Sequence, residues 1–125
     1  MLRIDRDKLK IGSLNARGIT YDLKEKQIGT DFDSYKLDLL AVQETHLKGN
    51  GILSINNINC SKEFKLHYSG IPIDSKEKNF HGVGIITKRD FDGVFTPVSE
   101  RICFCKFELH KVNYVVISAY APTPS

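Results

Sequence analysis

The sequence predicts a mixed-sheet protein of the α/β or α+β type. Three observations carry this. An apolar strand pattern, a helical stripe and a second apolar strand follow one another at the start of the chain. The second strand, Leu37–Gln43 (LDLLAVQ), is almost continuously apolar, which suits a strand covered on both faces. The remainder reads as several strands joined by short polar segments, the signature of antiparallel pairing added to an opening βαβ unit.

Lys10–Ala16 (KIGSLNA) mixes apolar and small residues and is expected to form a strand ending near Asn15, with a turn over Arg17–Ile19. Between Tyr21 and Lys36 the chain is charged. Ile28, Phe32 and Tyr35 fall at i, i+4 and i+7, which places one apolar stripe on a helix. Gly29 lies inside that helix and weakens it by about 1 kcal/mol relative to alanine. Lys48–Cys60 is rich in glycine and asparagine and reads as a loop with a short turn. Phe64–Gly70 reads as a strand, Ile71–His81 as a charged surface loop and Gly82–Lys88 as a buried strand. Arg101–Leu109 and Asn113–Tyr120 form a hairpin across His110 and Lys111.

The composition is that of an ordinary globular chain. Of 125 residues, 41% are hydrophobic and 26% charged, enough for a single domain with its own core and too apolar for disorder. No run approaches the roughly 18 apolar residues of a membrane span. The first ten residues have no apolar signal core, so a nuclear or cytoplasmic location is expected, without secretion or membrane insertion. The formal charge of +3 tolerates a phosphate-rich partner without requiring one. Of the three cysteines, Cys103 and Cys105 share one strand face and are expected in the core. Cys60 sits in a polar segment, and no spacing suits zinc. The Lys8/Lys10 and Lys24/Lys26 pairs read as solvated faces.

Candidate chemistry gathers at predicted strand ends, where Asn15, Glu44 and Tyr120 lie. Functional groups collect at the carboxyl ends of strands in such sheets. The carboxylate of Glu44, delivered by an apolar run, caps the next turn, pairs with a cation or binds a metal. Asn15 either closes the first strand with an Asx turn or contributes to that site. Tyr120 is a core-edge aromatic or a hydroxyl donor. His46 and His81 read as neighbouring or loop histidines, Arg101 as structural, and Gly82 and Gly84 as points of close backbone packing. Thr123 reads as a local hydrogen-bonding residue.

SLNARGI (13–19), LDLLAVQETHL (37–47), HGVGIIT (81–87), SERI (99–102) and ISAYAPT (117–123) occur in that order. Together they resemble the endonuclease/exonuclease/phosphatase superfamily, and within it the endonuclease domain of non-LTR retrotransposons and their domesticated relatives. The resemblance implies a four-layer α/β/β/α sandwich, of which residues 1–125 would form the N-terminal part of one domain. It implies metal-assisted phosphodiester hydrolysis on DNA. Glu44 would ligate Mg²⁺ or Mn²⁺, Asn15 would help position metal and phosphate, and Tyr120 would donate its hydroxyl to the phosphate or to the developing charge.

The family also carries a GDFN-like motif and a later SDH-like motif that activate the attacking water. Neither follows Tyr120 here, and RDFDG at Arg89–Gly93 precedes YAPT and lies in the wrong surroundings. The chain alone is therefore expected to be inactive, and to associate with a complementary C-terminal half or with itself. A phosphatase or phospholipase of the same superfamily, and a non-catalytic remnant that binds nucleic acid, are the alternatives.

Overall fold

A computed structural model of the chain describes residues 8–20, 23–78 and 81–121. It contains β1 (Ile11–Asn15), α1 (Lys24–Ser34), β2 (Leu39–Gln43), β3 (Asn50–Asn56), β4 (Glu63–Ser69), β5 (Val83–Lys88), β6 (Val94–Pro97), β7 (Ile102–Leu109) and β8 (Val112–Ala119). Five strands form one sheet in the order β1-β2-β5-β4-β3, and three form another in the order β6-β7-β8. The pair β1–β2 is parallel, with α1 in the crossover, and the other pairs are antiparallel. The mixed-sheet α/β class is thus observed. No helix among the described residues is long and apolar enough to cross a membrane.

Strand alternation sorts the apolar residues into two cores on opposite faces of the larger sheet. Ile28 and Phe32 of α1 pack with Leu40, Val42, Ile55, Phe64, Leu66 and Ile86 on one face. Leu39, Val83 and Ile85 pack on the other face against Cys103, Cys105, Phe107 and Val116 of the smaller sheet. Helix, sheet and sheet therefore stack in that order. β2 serves both cores, which explains its unbroken apolar sequence. Burial pushes the Cys103 thiol up to about 12 and the Cys105 thiol up to about 11, so both behave as small apolar groups. Cys60 is exposed.

The β7–β8 hairpin has the expected turn. Leu109 pairs with Val112, and His110 and Lys111 have φ of 51° and 64°. Positive φ at both central residues is the mark of the type I′ turn, whose twist matches that of the strands.

Two expectations need correction, and one strand was not foreseen. Lys48–Cys60 is not a loop, because Asn50–Asn56 is the edge strand β3, paired along its length with β4. Its weak propensity is overridden by packing: Leu53 and Ile55 turn inward, and the Tyr68 ring lies directly across from Gly51, filling the space a side chain would take. β6 is a further strand, short and proline-ended, not foreseen in the sequence. Tyr35 does not join the helical stripe. It is the C-cap of α1 and is 69% exposed, because it borders the groove at the open edge of β1, where no described strand covers it. Tyr21, part of the predicted helical segment, and Thr123 lie outside the described residues.

Gly29 has a positive reason to be glycine. A Cβ there would stand 2.5 Å from the Asn56 carbonyl oxygen at the end of β3. Alanine would favour the helix by about 1 kcal/mol, yet overpacking against backbone costs about 1–3 kcal/mol. Gly29→Ala is therefore expected to lower the unfolding free energy in urea denaturation. An increase in stability would show that α1 and β3 are not in such close contact.

Candidate functional site

The parallel β1–β2 ladder pairs Asn15 with Gln43, so both strands end at the same level. The chains then continue side by side. The N–H of Ala16 donates to Gln43 O at 2.8 Å, that of Gly18 to Glu44 O at 2.7 Å and that of Ile19 to Thr45 O at 3.0 Å. From the opposite side, Thr45 N–H donates to Gly82 O at 3.1 Å and His46 N–H to His81 O at 2.9 Å. Glu44 is clamped between these two sets of bonds.

That clamp holds an uncommon conformation. Glu44 has φ of 53°, His46 of 60° and Arg17 of 53°. Left-handed backbone at a non-glycine residue costs on the order of 1–3 kcal/mol and persists where surrounding contacts over-determine it, most often at functional sites. Thr45, fully buried, accepts the Leu47 N–H on its hydroxyl at 3.3 Å and helps fix the turn.

Asn15 satisfies both roles considered for it. Its Oδ1 accepts the Arg17 N–H at 3.2 Å, an Asx turn closing β1. Its Nδ2 donates to Glu44 Oε2. The Glu44 side chain is 21% exposed, and its Oε1 lies 3.9 Å from His46 Nε2. Sequence reasoning set His46 aside as a neighbour, and the structure places it against the carboxylate.

Tyr120 follows β8 and is anchored by its N–H, which donates to Arg101 O at 2.8 Å. Its ring packs at the edge of the inter-sheet core and against His81, with ring centroids 5.7 Å apart. His81 Nδ1 is buried and has no hydrogen-bond partner among the described residues. His81 also accepts from His46 N–H through its carbonyl, so Glu44, His46, His81 and Tyr120 form a connected neighbourhood.

Polar side chains tie the smaller sheet to the larger one next to this site. Gln43 Nε2 donates to Ser118 Oγ at 3.2 Å, and Ser118 Oγ donates to Val42 O at 2.9 Å. Ser13 Oγ donates to Gln43 Oε1 at 3.3 Å. Sequence reasoning missed Ser13 and Ser118. Ser118 was legible as a small hydroxyl two residues after Val116, on the inward face of β8. Lys24 also departs from a purely solvated role, donating through Nζ to Ala16 O at 2.9 Å just beyond β1.

No group of three or more His, Cys, Asp or Glu residues among those described could enclose a metal. The donor set instead suits a hard cation that keeps most of its waters. Glu44 offers one carboxylate at a fixed strand end, and Mg²⁺ typically takes one or two carboxylates with water and phosphate oxygens completing its shell. Asn15 supports that carboxylate as a donor, and its amide oxygen is held by Arg17. The larger hollows lie elsewhere, one lined by Phe32, Lys36, Lys62 and Lys88 and one between β1 and α1. Neither contains Glu44, and size alone does not identify the chemistry.

No protein-family model matches this chain, and no curated protein matches it. Gly82 is the structural keystone of the site. Its φ is 104°, and a Cβ there would stand 2.4 Å from Thr45 Oγ1. Gly82→Ala is expected to destabilise the protein by about 1–3 kcal/mol and to speed hydrogen exchange at the Thr45 and His46 amides. Unchanged exchange at those amides would show that Gly82 does not hold the Glu44 turn.

Proposed function

We propose that this chain forms the N-terminal part of a metal-dependent phosphodiesterase domain acting on DNA, of the endonuclease/exonuclease/phosphatase type found in non-LTR retrotransposons. The observation that carries the reading is Glu44, bonded to Asn15 and locked in a left-handed turn at the paired ends of β1 and β2. The ordered motifs containing Asn15, Glu44 and Tyr120 supply the specific family. The stacking of α1, the larger sheet and the smaller sheet supports three layers of an α/β/β/α sandwich.

Bound Mg²⁺ or Mn²⁺ would polarise a phosphoryl oxygen and offset charge in the transition state. Glu44 and Asn15 are the residues assigned to hold it, with Glu44 providing the anionic oxygen. Asn15 orients that carboxylate with a neutral amide, which does not repel a phosphodiester. Tyr120 offers a hydroxyl as a hydrogen-bond donor to phosphate, on a ring positioned by His81. His46 lines the opposite side of the Glu44 carboxylate.

A water-activating group is a separate requirement. General-base catalysis contributes roughly 10²–10⁴ in rate, and the sequence contains neither a GDFN-like nor an SDH-like motif downstream of Tyr120. The 125-residue chain is therefore expected to bind Mn²⁺ weakly and not to nick supercoiled plasmid. In ¹⁵N-labelled protein, Mn²⁺ should broaden the Asn15 side-chain amide and the Gly18 and Thr45 backbone amides, and Glu44→Gln should remove that effect. Broadening that persists unchanged in Glu44→Gln would place the metal elsewhere. Robust nicking abolished by Glu44→Ala would mean that the chain activates water with its own residues.

A further inference from the structure

Beyond the Glu44 ends of β1 and β2, backbone hydrogen bonds continue from segment to segment. The N–H groups of Gly18 and Ile19 donate to Glu44 O and Thr45 O, Thr45 N–H donates to Gly82 O, and Gly82 N–H donates to Glu100 O at 3.0 Å. Tyr120 N–H then donates to Arg101 O. The result is a continuous rim that includes Glu44. An arginine stands at each side of it, Arg17 on the segment after β1 and Arg101 on the segment before β7.

Both arginines are fixed in the same way. Arg17 N–H donates to Asn15 Oδ1 at 3.2 Å and Arg101 N–H to Ser99 Oγ at 3.1 Å, so a side chain two residues back closes each turn. Both residues are exposed. Neither guanidinium has a hydrogen-bond or ion-pair partner among the described residues. Lys24 adds a cation on the β1 side, where its Nζ is held by Ala16 O. Arg89, the remaining arginine among those described, lies past the far end of β5. The acids on the rim are Glu44, which the proposed site assigns to the cation, and Glu100.

Spacing separates the kinds of ligand this rim fits. Three bonded steps lead from the Arg17 segment to the Arg101 segment, through Thr45, Gly82 and Glu100. At ~4.8 Å between neighbouring segments the backbones are about 14 Å apart. Phosphates along one strand of a duplex advance ~3.4 Å per nucleotide, so the rim spans about four steps. A phosphate monoester is too small to touch Glu44 and both arginines.

We propose that Arg17 and Arg101 bind backbone phosphates on either side of the phosphodiester at Glu44, so that the ligand is a polynucleotide and not a small phosphate ester. This rests on the reading of Glu44 as the centre of the site. The planar fork of a guanidinium matches two phosphate oxygens. Such contacts position a strand without reading its bases, so binding is electrostatic and independent of sequence.

The test titrates the full chain against a short fluorescein-labelled DNA duplex in EDTA, read by anisotropy between about 50 and 200 mM salt. Each phosphate contact contributes about 0.9 to the slope of log affinity against log salt. Arg17→Gln and Arg101→Gln should each lower the slope by about 0.9 and weaken binding roughly tenfold at about 50 mM salt. The double substitution should remove about twice as much slope. Arg17→Lys retains the charge and should retain the slope. Arg89→Gln should bind as the wild type does, and thymidine monophosphate should compete only at far higher concentration than unlabelled duplex. A wild-type chain that does not bind the duplex overturns the inference. So does a slope that either glutamine substitution leaves unchanged, or thymidine monophosphate that competes as well as duplex. Because EDTA removes metal, Mn²⁺ broadening that is not centred on Glu44 would count against the phosphodiesterase reading alone. Unchanged slopes beside intact broadening would count against the arginines alone.

Discussion

The in-register, parallel pairing of β1 with β2 is the constraint on which the rest depends. It sets Asn15 level with Gln43 and so brings the Asn15 amide to the carboxylate that follows. A slip of one residue would send every side chain of β1 to the other face of the sheet. Gly12 and Leu14, which share the face of Leu40 and Val42, would exchange sides with Ile11, Ser13 and Asn15. Register is held by Asp38, a buried carboxylate just before β2 that accepts the Lys10 N–H at 2.8 Å, and by the continuation of the ladder through Ala16, Gly18 and Ile19.

From that pairing the strain at Glu44 follows. The residue leaves the sheet through a left-handed turn that its own side chain does not favour. Backbone bonds from the β1 extension on one side and from His81 and Gly82 on the other compel it. The consequence is a carboxylate with little freedom, facing a neutral donor on one oxygen and an imidazole near the other. The smaller sheet completes the arrangement through Ser118, which couples the end of β8, and hence Tyr120, to the end of β2. Positions fixed in this way suit a role in which a group must be held before its ligand arrives.

Much of this frame was legible in the sequence where pattern and packing agree. β2 is apolar throughout because both faces are covered, and Cys103 and Cys105 alternate inward as expected. Ile28 and Phe32 mark the buried side of α1. The failures have physical causes. β3 carries Asn, Gly or Ser at four of its seven positions, and its pairing with β4 includes Tyr68 covering Gly51, a contact between residues remote in sequence. Tyr35 has the right helical spacing, but spacing does not reveal where a sheet ends. At the site, motif order pointed to Asn15, Glu44 and Tyr120. The convergence of His46 and His81 was hidden because it is made by backbone bonds between β2 and β5 extensions. Ser13 and Ser118 act only through a bridge spanning two sheets.

The central claim is that strand register joins Asn15 to Glu44 as one unit. A double-mutant cycle with Asn15→Ala, Glu44→Ala and the pair, read by urea unfolding, tests it most directly. A hydrogen bond to a charged group contributes about 1.5–3 kcal/mol, less where it is partly solvated. The cycle should therefore show a coupling of about 1 kcal/mol, with the second substitution costing little once the first is made. Losses that add to within about 0.3 kcal/mol would mean the two side chains act independently. The site would then not be the unit described.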